Sequence, residues 1–365
     1  MEEPVNKILV IKMRFHGDML LTTPVISSLK QHYPNAQIDV LLYEDTIPIL
    51  SENVQIGSLY GVAKKSAGVL EKVSNFLDLL QQLSANRYNI ILNLTDQWMV
   101  ALLMRLIPAE IKISQDYAHR QTTFWKNSFT CLAPITGEHI VERNLSILSA
   151  LGIKDFYTKT TMSYKPEHWH EMEIILNEAG VHGQYVVIQP TARQIFKCWD
   201  EDKFSVVTDA LQAQGYKVVL TCGPGDDDLV CVNRIADECE QRPITALAGK
   251  TQLPELAALI DHAALFIGVD SAPMHMAAAL DTPIVCLFGA TDRVFWRPWT
   301  DNAIQLWAGD YAEMPEREEL DRSQKYLSVI PAEDVIAAAN QMLNSNKAED
   351  EVEGSEPIRE SGSAT

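Results

Sequence analysis

No stretch of this 365-residue chain comes near the roughly 18 consecutive apolar residues that a membrane-spanning helix requires. The start, Met1-Glu2-Glu3-Pro4, is acidic where a secretory signal is basic, so the expected location is the cytosol. Paired cysteines are missing too. Cys131, Cys198, Cys222, Cys231, Cys239 and Cys286 form no C-x-x-C pair and no zinc-type spacing, which points to reduced thiols and to no structural metal. Positive charge is short: the net charge is -19, and it is unevenly placed. Residues 1–165 carry 16 Lys+Arg against 15 Asp+Glu, whereas residues 166–365 carry 14 against 34. An acidic surface repels polyphosphates, so no nucleic-acid partner is expected, and an anionic substrate would favour the near-neutral first half. The first strand is followed by no G-x-G-x-x-G, which disfavours a nicotinamide or flavin site.

What is present is an alternation of buried strands and helices, with 47% hydrophobic residues, ample for two cores. The first half offers strands at Lys7–Lys12, Ile38–Leu42, Ile90–Leu94 and Ile111–Ile113, with helices at Met19–His32, Val69–Leu83, Trp98–Ile107 and Ile140–Leu151. A second series follows an irregular piece between Lys154 and Pro166: a helix at Trp169–Ala179, then strands at Tyr185–Gln189, Lys217–Cys222, Thr245–Ala248, Leu265–Val269 and Pro283–Phe288. The pattern predicts α/β architecture with domains at 1–165 and 166–330 and a boundary between about 155 and 180. Pro331 opens a last helix that reaches about Leu343, and the acidic 345–365 segment reads as a disordered tail.

Strand-to-helix turns carry the candidate chemistry. Gly268-Val269-Asp270-Ser271-Ala272-Pro273-Met274-His275 opens a small-residue helix whose free first-turn amides suit a phosphate at Ser271 and Ala272. Asp270-Ser271 also reads as a cap, and His275 as an interior histidine. Asp18, after the first strand, either caps a helix or accepts a proton from an attacking hydroxyl. Thr191 to Lys197 is a loop with two cations; Lys197 would offset charge on a departing diphosphate, or the loop is simply solvated. Asp226, Asp227 and Asp228 follow Gly223-Pro224-Gly225; they suit a helix N-terminus, or one of them hydrogen-bonds a ribose, and a metal role is disfavoured because no further ligand is near. Lys64, Lys65 and Arg120 read as solvated cations or as contacts for an anionic acceptor. Trp98 to Met104 would touch a membrane or fill the core, and Arg105 favours the core.

Together, Arg14-Phe15-His16-Gly17-Asp18-Met19-Leu20-Leu21-Thr22-Thr23-Pro24, Lys197, Thr221–Asp228 and Asp270-Ser271-x-x-x-His275-x-Ala277-Ala278 resemble glycosyltransferase family nine, the lipopolysaccharide heptosyltransferases. The resemblance spans roughly residues 7–300 and implies a GT-B fold: two facing Rossmann-like domains, the donor in the second, the acceptor in the first, and the last helix (331–344) returning to the first. It implies ADP-L-glycero-β-D-manno-heptose as donor substrate, inversion at the anomeric carbon, no metal or other cofactor, and a phosphorylated inner-core glycolipid as acceptor, glycosylated on its second heptose. Transient contact with the cytoplasmic face of the inner membrane follows from that acceptor. The family's base falls on Asp18, its phosphate-binding lysine on Lys197, its ribose contact within Asp226–Asp228, its donor segment on Asp270, Ser271 and Ala272, and its histidine on His275. Ala272 stands where the family has glycine, and its methyl group would hold a pyrophosphate farther from the backbone. Competing readings are a transferase for another nucleotide sugar and a non-catalytic two-domain binding protein.

Overall fold

Two all-parallel sheets organise the chain, six strands in the first half and five in the second. The computed structural model describes residues 4–64 and 68–353, with side chains described as far as Ser345. The first half runs β1 (Lys7–Ile11), α1 (His16–Leu20), α2 (Thr23–His32), β2 (Gln37–Tyr43), β3 (Leu59–Val62), α3 (Val69–Ala85), β4 (Ile90–Asn93), α4 (Trp98–Leu106), β5 (Ile111–Gln115), α5 (Thr123–Lys126), β6 (Cys131–Ala133) and α6 (Ile140–Leu145). The second runs α7 (Pro166–Glu178), β7 (Tyr185–Gln189), α8 (Glu201–Ala213), β8 (Lys217–Leu220), α9 (Asp226–Glu238), α10 (Leu253–Asp261), β9 (Leu265–Val269), α11 (Ala272–Ala279), β10 (Ile284–Phe288), α12 (Arg293–Trp296), β11 (Ala303–Trp307) and α13 (Ala332–Glu353).

Strand order is β3-β2-β1-β4-β5-β6 in the first sheet and β11-β10-β9-β7-β8 in the second. Both are doubly wound, and the chain reverses direction between β1 and β4 and between β7 and β9. Ligands of such sheets sit beyond the strand ends at those reversals. The central strands are apolar on both faces because helices cover both. Ile8 and Val10 of β1 face one core, Leu9 and Ile11 another, and all four are fully buried. The first of these cores continues into the second half through Val187 and Phe266, so the two sheets share an apolar layer.

Several expectations need correction. The helix expected from Met19 to His32 is two helices, broken at Leu21-Thr22, because Pro24 lacks the amide that would continue the first. No strand forms at Thr245–Ala248; Ile244 makes a single bridge to Val219, and the chain then turns to Gly249, whose φ is +69°. Strands β3, β6 and β11 went unforeseen; they lie at sheet edges and are only partly buried, so their sequences lack the fully apolar runs of the central strands. The last helix does not end near Leu343 but continues to Glu353, so part of the expected tail is helical; residues 354–365 lie outside the described residues. Nor is its packing a return to the first sheet. Val335, Ala339 and Leu343, on one face at helical spacing, join the core beneath the second sheet with α8 and β9–β11.

Candidate active site

Both reversal points present the residues singled out from sequence. The loop after β1 delivers Asp18 at the third position of α1, where its Oδ2 accepts the Phe15 backbone N–H at 3.3 Å. Phe15, not Asp18, is therefore the N-cap, and Asp18 closes the first turn from inside. One long hydrogen bond leaves most of a carboxylate's lone pairs free for other work. Thr22 Oγ1 donates to the Asp18 carbonyl at 2.8 Å, fixing the helix from its far end. Behind it, buried Lys12 donates to Asn144 Oδ1 at 2.9 Å, and Asn144 Nδ2 donates to the Leu21 carbonyl at 2.8 Å. Burial pulls the Lys12 ammonium down to about 8, against the opposing pull of Asp18.

The second sheet supplies a cation and a helix start. Lys197, at the end of a short helical turn after β7, lies 2.6 Å from Asp270 Oδ2 at the end of β9. Gln189 holds the same loop, donating to Thr191 Oγ1 at 3.2 Å while accepting from Thr221 Oγ1 at 2.7 Å. Ser271 is the N-cap of α11, yet its Oγ makes no capping bond; that oxygen and His275 Nδ1 are buried without a hydrogen-bond partner among the described residues. Unmatched buried polar atoms at a helix start are unusual and fit a site built for an additional polar group. Burial drives the His275 imidazole down to about 4, with Asp270 opposing, so it is neutral at pH 7.

Gly17 joins the two halves. A Cβ at Gly17 would lie 2.9 Å from His275 Cδ2 and 3.8 Å from the Ala272 Cα. The helix carrying Asp18 thus abuts the first turn of α11. Arg193, from the Lys197 loop, crosses the same gap and places its guanidinium 3.5 Å from the centre of the Phe15 ring. Farther along, His139 Nε2 donates to the Arg297 carbonyl (3.0 Å), and the ring stacks on Trp299 with ring centres 4.4 Å apart.

A family model described as glycosyltransferase family 9 (heptosyltransferase) matches residues 76–327, more than half of the chain. This chain belongs to glycosyltransferase family 9. It is 68% identical over 331 residues to lipopolysaccharide heptosyltransferase 3 of Escherichia coli K12, covering 91% of this chain and 96% of that relative. Among solved structures it is similar to the family 9 glycosyl transferase of Veillonella parvula DSM 2008, with TM-score 0.83, 26% identity, and 94% and 99% of the two chains covered. It also matches the E. coli heptosyltransferase WaaC with ADP, with TM-score 0.73, 19% identity, and 92% and 99% covered; at that identity the likeness shows the fold. The protein is a glycosyltransferase with the GT-B arrangement of two Rossmann-like sheets.

In this family 9 enzyme the three consecutive aspartates differ in place. Asp226 and Asp227 are exposed at the start of α9, whereas the Asp228 carboxylate folds back so that a Cβ at Gly223 would lie 2.8 Å from its Oδ2. Asp228 alone of the three faces the turn after β8, and a side chain at Gly223 would displace its carboxylate. The described cations of the first half are not simply solvated. Lys64 pairs with Asp45 at 2.6 Å and lies 4.9 Å from the Phe15 ring centre; Arg120 donates Nε to the Asp96 carbonyl at 2.7 Å and sits over Trp98. Lys65 lies outside the described residues. Sequence reasoning missed Asp96, which follows β4 on the other side of the first reversal and binds Arg14 (3.0 Å) and His119 (2.9 Å). It lies three residues beyond β4, and only the pairing of β4 with β1 brings it beside the loop after β1.

Proposed function

We propose that this enzyme transfers L-glycero-D-manno-heptose from ADP-heptose to the second heptose of a phosphorylated lipopolysaccharide inner core, with inversion and without a metal, at the cytoplasmic face of the inner membrane. Asp18 takes the proton of the acceptor hydroxyl as that oxygen bonds to the anomeric carbon. The bond from that carbon to the β-phosphate oxygen breaks in the same step, and ADP leaves. Lys197 and the first-turn amides of α11 at Ser271 and Ala272 bind the diphosphate and stabilise its growing charge. Neutral His275 and the Ser271 hydroxyl hydrogen-bond the donor, Thr191 lines the loop, Asp228 is the ribose contact of its three neighbours, and Lys64, Lys65 and Arg120 meet acceptor phosphates.

The observation carrying this reading is the approach of Gly17 to His275 and Ala272, which sets the base one residue from the helix that would hold the leaving group. Identity of 68% to a heptosyltransferase 3 supports the choice of donor and acceptor. The test is to supply purified enzyme with ADP-heptose and a core lacking the branch heptose, and to analyse the product by mass spectrometry. Gain of one heptose on the second core heptose is expected. Binding of a UDP-sugar in preference to ADP-heptose, measured by calorimetry, would contradict the donor assignment.

A further inference from the structure

The first half carries an apolar surface that the chemistry above does not use. Helix α4 is buried on one side through Val100, Leu103 and Met104, as its sequence led us to expect. Its other side is not. Trp98, Leu102 and Leu106, spaced four residues apart in one stripe, are 44%, 42% and 49% exposed. On α3, packed beside it, Val69, Val73 and Leu77 form a second stripe with the same spacing, and Leu70 is 88% exposed. The buried residues of the two helices, Leu79 and Leu83 on α3 and Leu103 on α4, fill one core layer over the same face of the first sheet. Their outer stripes therefore look the same way. Phe124 of α5 extends the patch, its ring 5.7 Å from that of Trp98.

A patch of this kind on an otherwise acidic protein calls for a partner. We infer that α3, α4 and α5 dock on an anionic phospholipid bilayer, with the two helical stripes entering the headgroup boundary. This rests on the reading above that the acceptor is anchored in lipid. Three observations favour a bilayer. The stripes are convex helix faces with an aromatic pair at one end, the form that lies in a membrane interface rather than grips a peptide. Arg105, its guanidinium 5.1 Å from the Phe124 ring centre, and exposed Lys126 border the apolar residues, placed to reach lipid phosphates. Charge also favours this half: it is near neutral while the other half carries the whole net negative charge, so it meets an anionic surface with the less repulsion.

The patch borders the reaction crevice. Trp98 stacks under Arg120, Arg120 binds the Asp96 carbonyl, and Asp96 holds Arg14, four residues before Asp18. Docking would set the mouth of the crevice at the height of glycan headgroups, so an acceptor sugar enters while its lipid stays in the leaflet.

The experiment is flotation of the full-length enzyme with vesicles of phosphatidylethanolamine and phosphatidylglycerol that contain no glycolipid. The wild type is expected to float, and the Leu102→Glu/Leu106→Glu variant to lose binding by about tenfold or more, since both apolar contacts become charged. Its turnover of a delipidated, water-soluble acceptor should be unchanged, which shows that it folds. Leu102→Trp/Leu106→Trp should float at least as well as the wild type. Failure of the wild type to float, undiminished flotation of the glutamate variant, or a concentration-dependent dimer abolished by that variant would each overturn the assignment. A wild type that floats yet transfers no heptose would leave docking intact and refute the proposed function.

Discussion

Lys197 Nζ stands 2.6 Å from Asp270 Oδ2, a partly buried ion pair between the loop after β7 and the end of the adjacent strand β9. The pair holds the lysine over the second reversal point beside Ser271, so the cation is in place before any phosphate arrives. Lys197→Ala should lower kcat by about 10²–10³, the usual cost of removing one donor to a developing charge, and should also weaken ADP binding in calorimetry. Asp270→Asn keeps the hydrogen bond but not the charge. Its expected result is a smaller loss, and a variant at either position with wild-type kcat/KM would refute the phosphate role.

Asp18 has two jobs to separate, closing the first turn of α1 and accepting a proton. Asp18→Asn retains an oxygen for the Phe15 N–H, so the melting temperature should fall little, whereas Asp18→Ala loses that hydrogen bond and should cost about 0.5–1 kcal/mol. Both should reduce turnover by about 10²–10⁴ while leaving ADP-heptose affinity near that of the wild type. Loss of turnover only in the alanine variant would leave Asp18 the role of closing the first turn of α1 alone.

Gly17 permits the halves to touch. A methyl group there meets the buried His275 ring at 2.9 Å from Cδ2, so Gly17→Ala should displace that ring or part α1 from α11. Misplacing reacting groups by about 1 Å costs up to about 100-fold, so kcat should fall steeply and ADP affinity hardly at all. A variant with normal kcat would show that the observed approach is not needed for turnover.

His275 and His139 are both held neutral by burial, each brought from 6.5 to about 4. A proton is thus bound more readily by the unfolded chain than by the folded one between those values, and stability rises with pH through that window. The stabilisation is complete above pH 6.5 and is lost as pH falls towards 4. Melting temperatures measured from pH 7 to pH 4 should decline, and His275→Gln should decline less; an identical slope in the variant would contradict the burial of a neutral imidazole.

Much of the candidate site could be read from the chain because parallel strands declare themselves. Runs such as Lys7–Ile11 and Leu265–Val269 are apolar throughout since both faces are covered, and residues just beyond them fall at a ligand crevice. Asp18, Lys197, Asp270 and Ser271 were found on that ground. Asp96 was not, since no local pattern says that β4 lies beside β1. The dual nature of α4 escaped for a related reason: its sequence is apolar nearly all round, and only the packing of neighbours decides which side is covered.

The sequence by itself determined which residues end strands, which amides start helices, and how charge divides between the halves, because these depend on neighbours within a few positions. Tertiary structure alone decided that Asp228 rather than Asp226 turns inward, that α13 packs under the second sheet, and that Gly17 meets His275. Those are contacts between segments far apart along the chain, and they exist only once two separately wound sheets have been brought face to face.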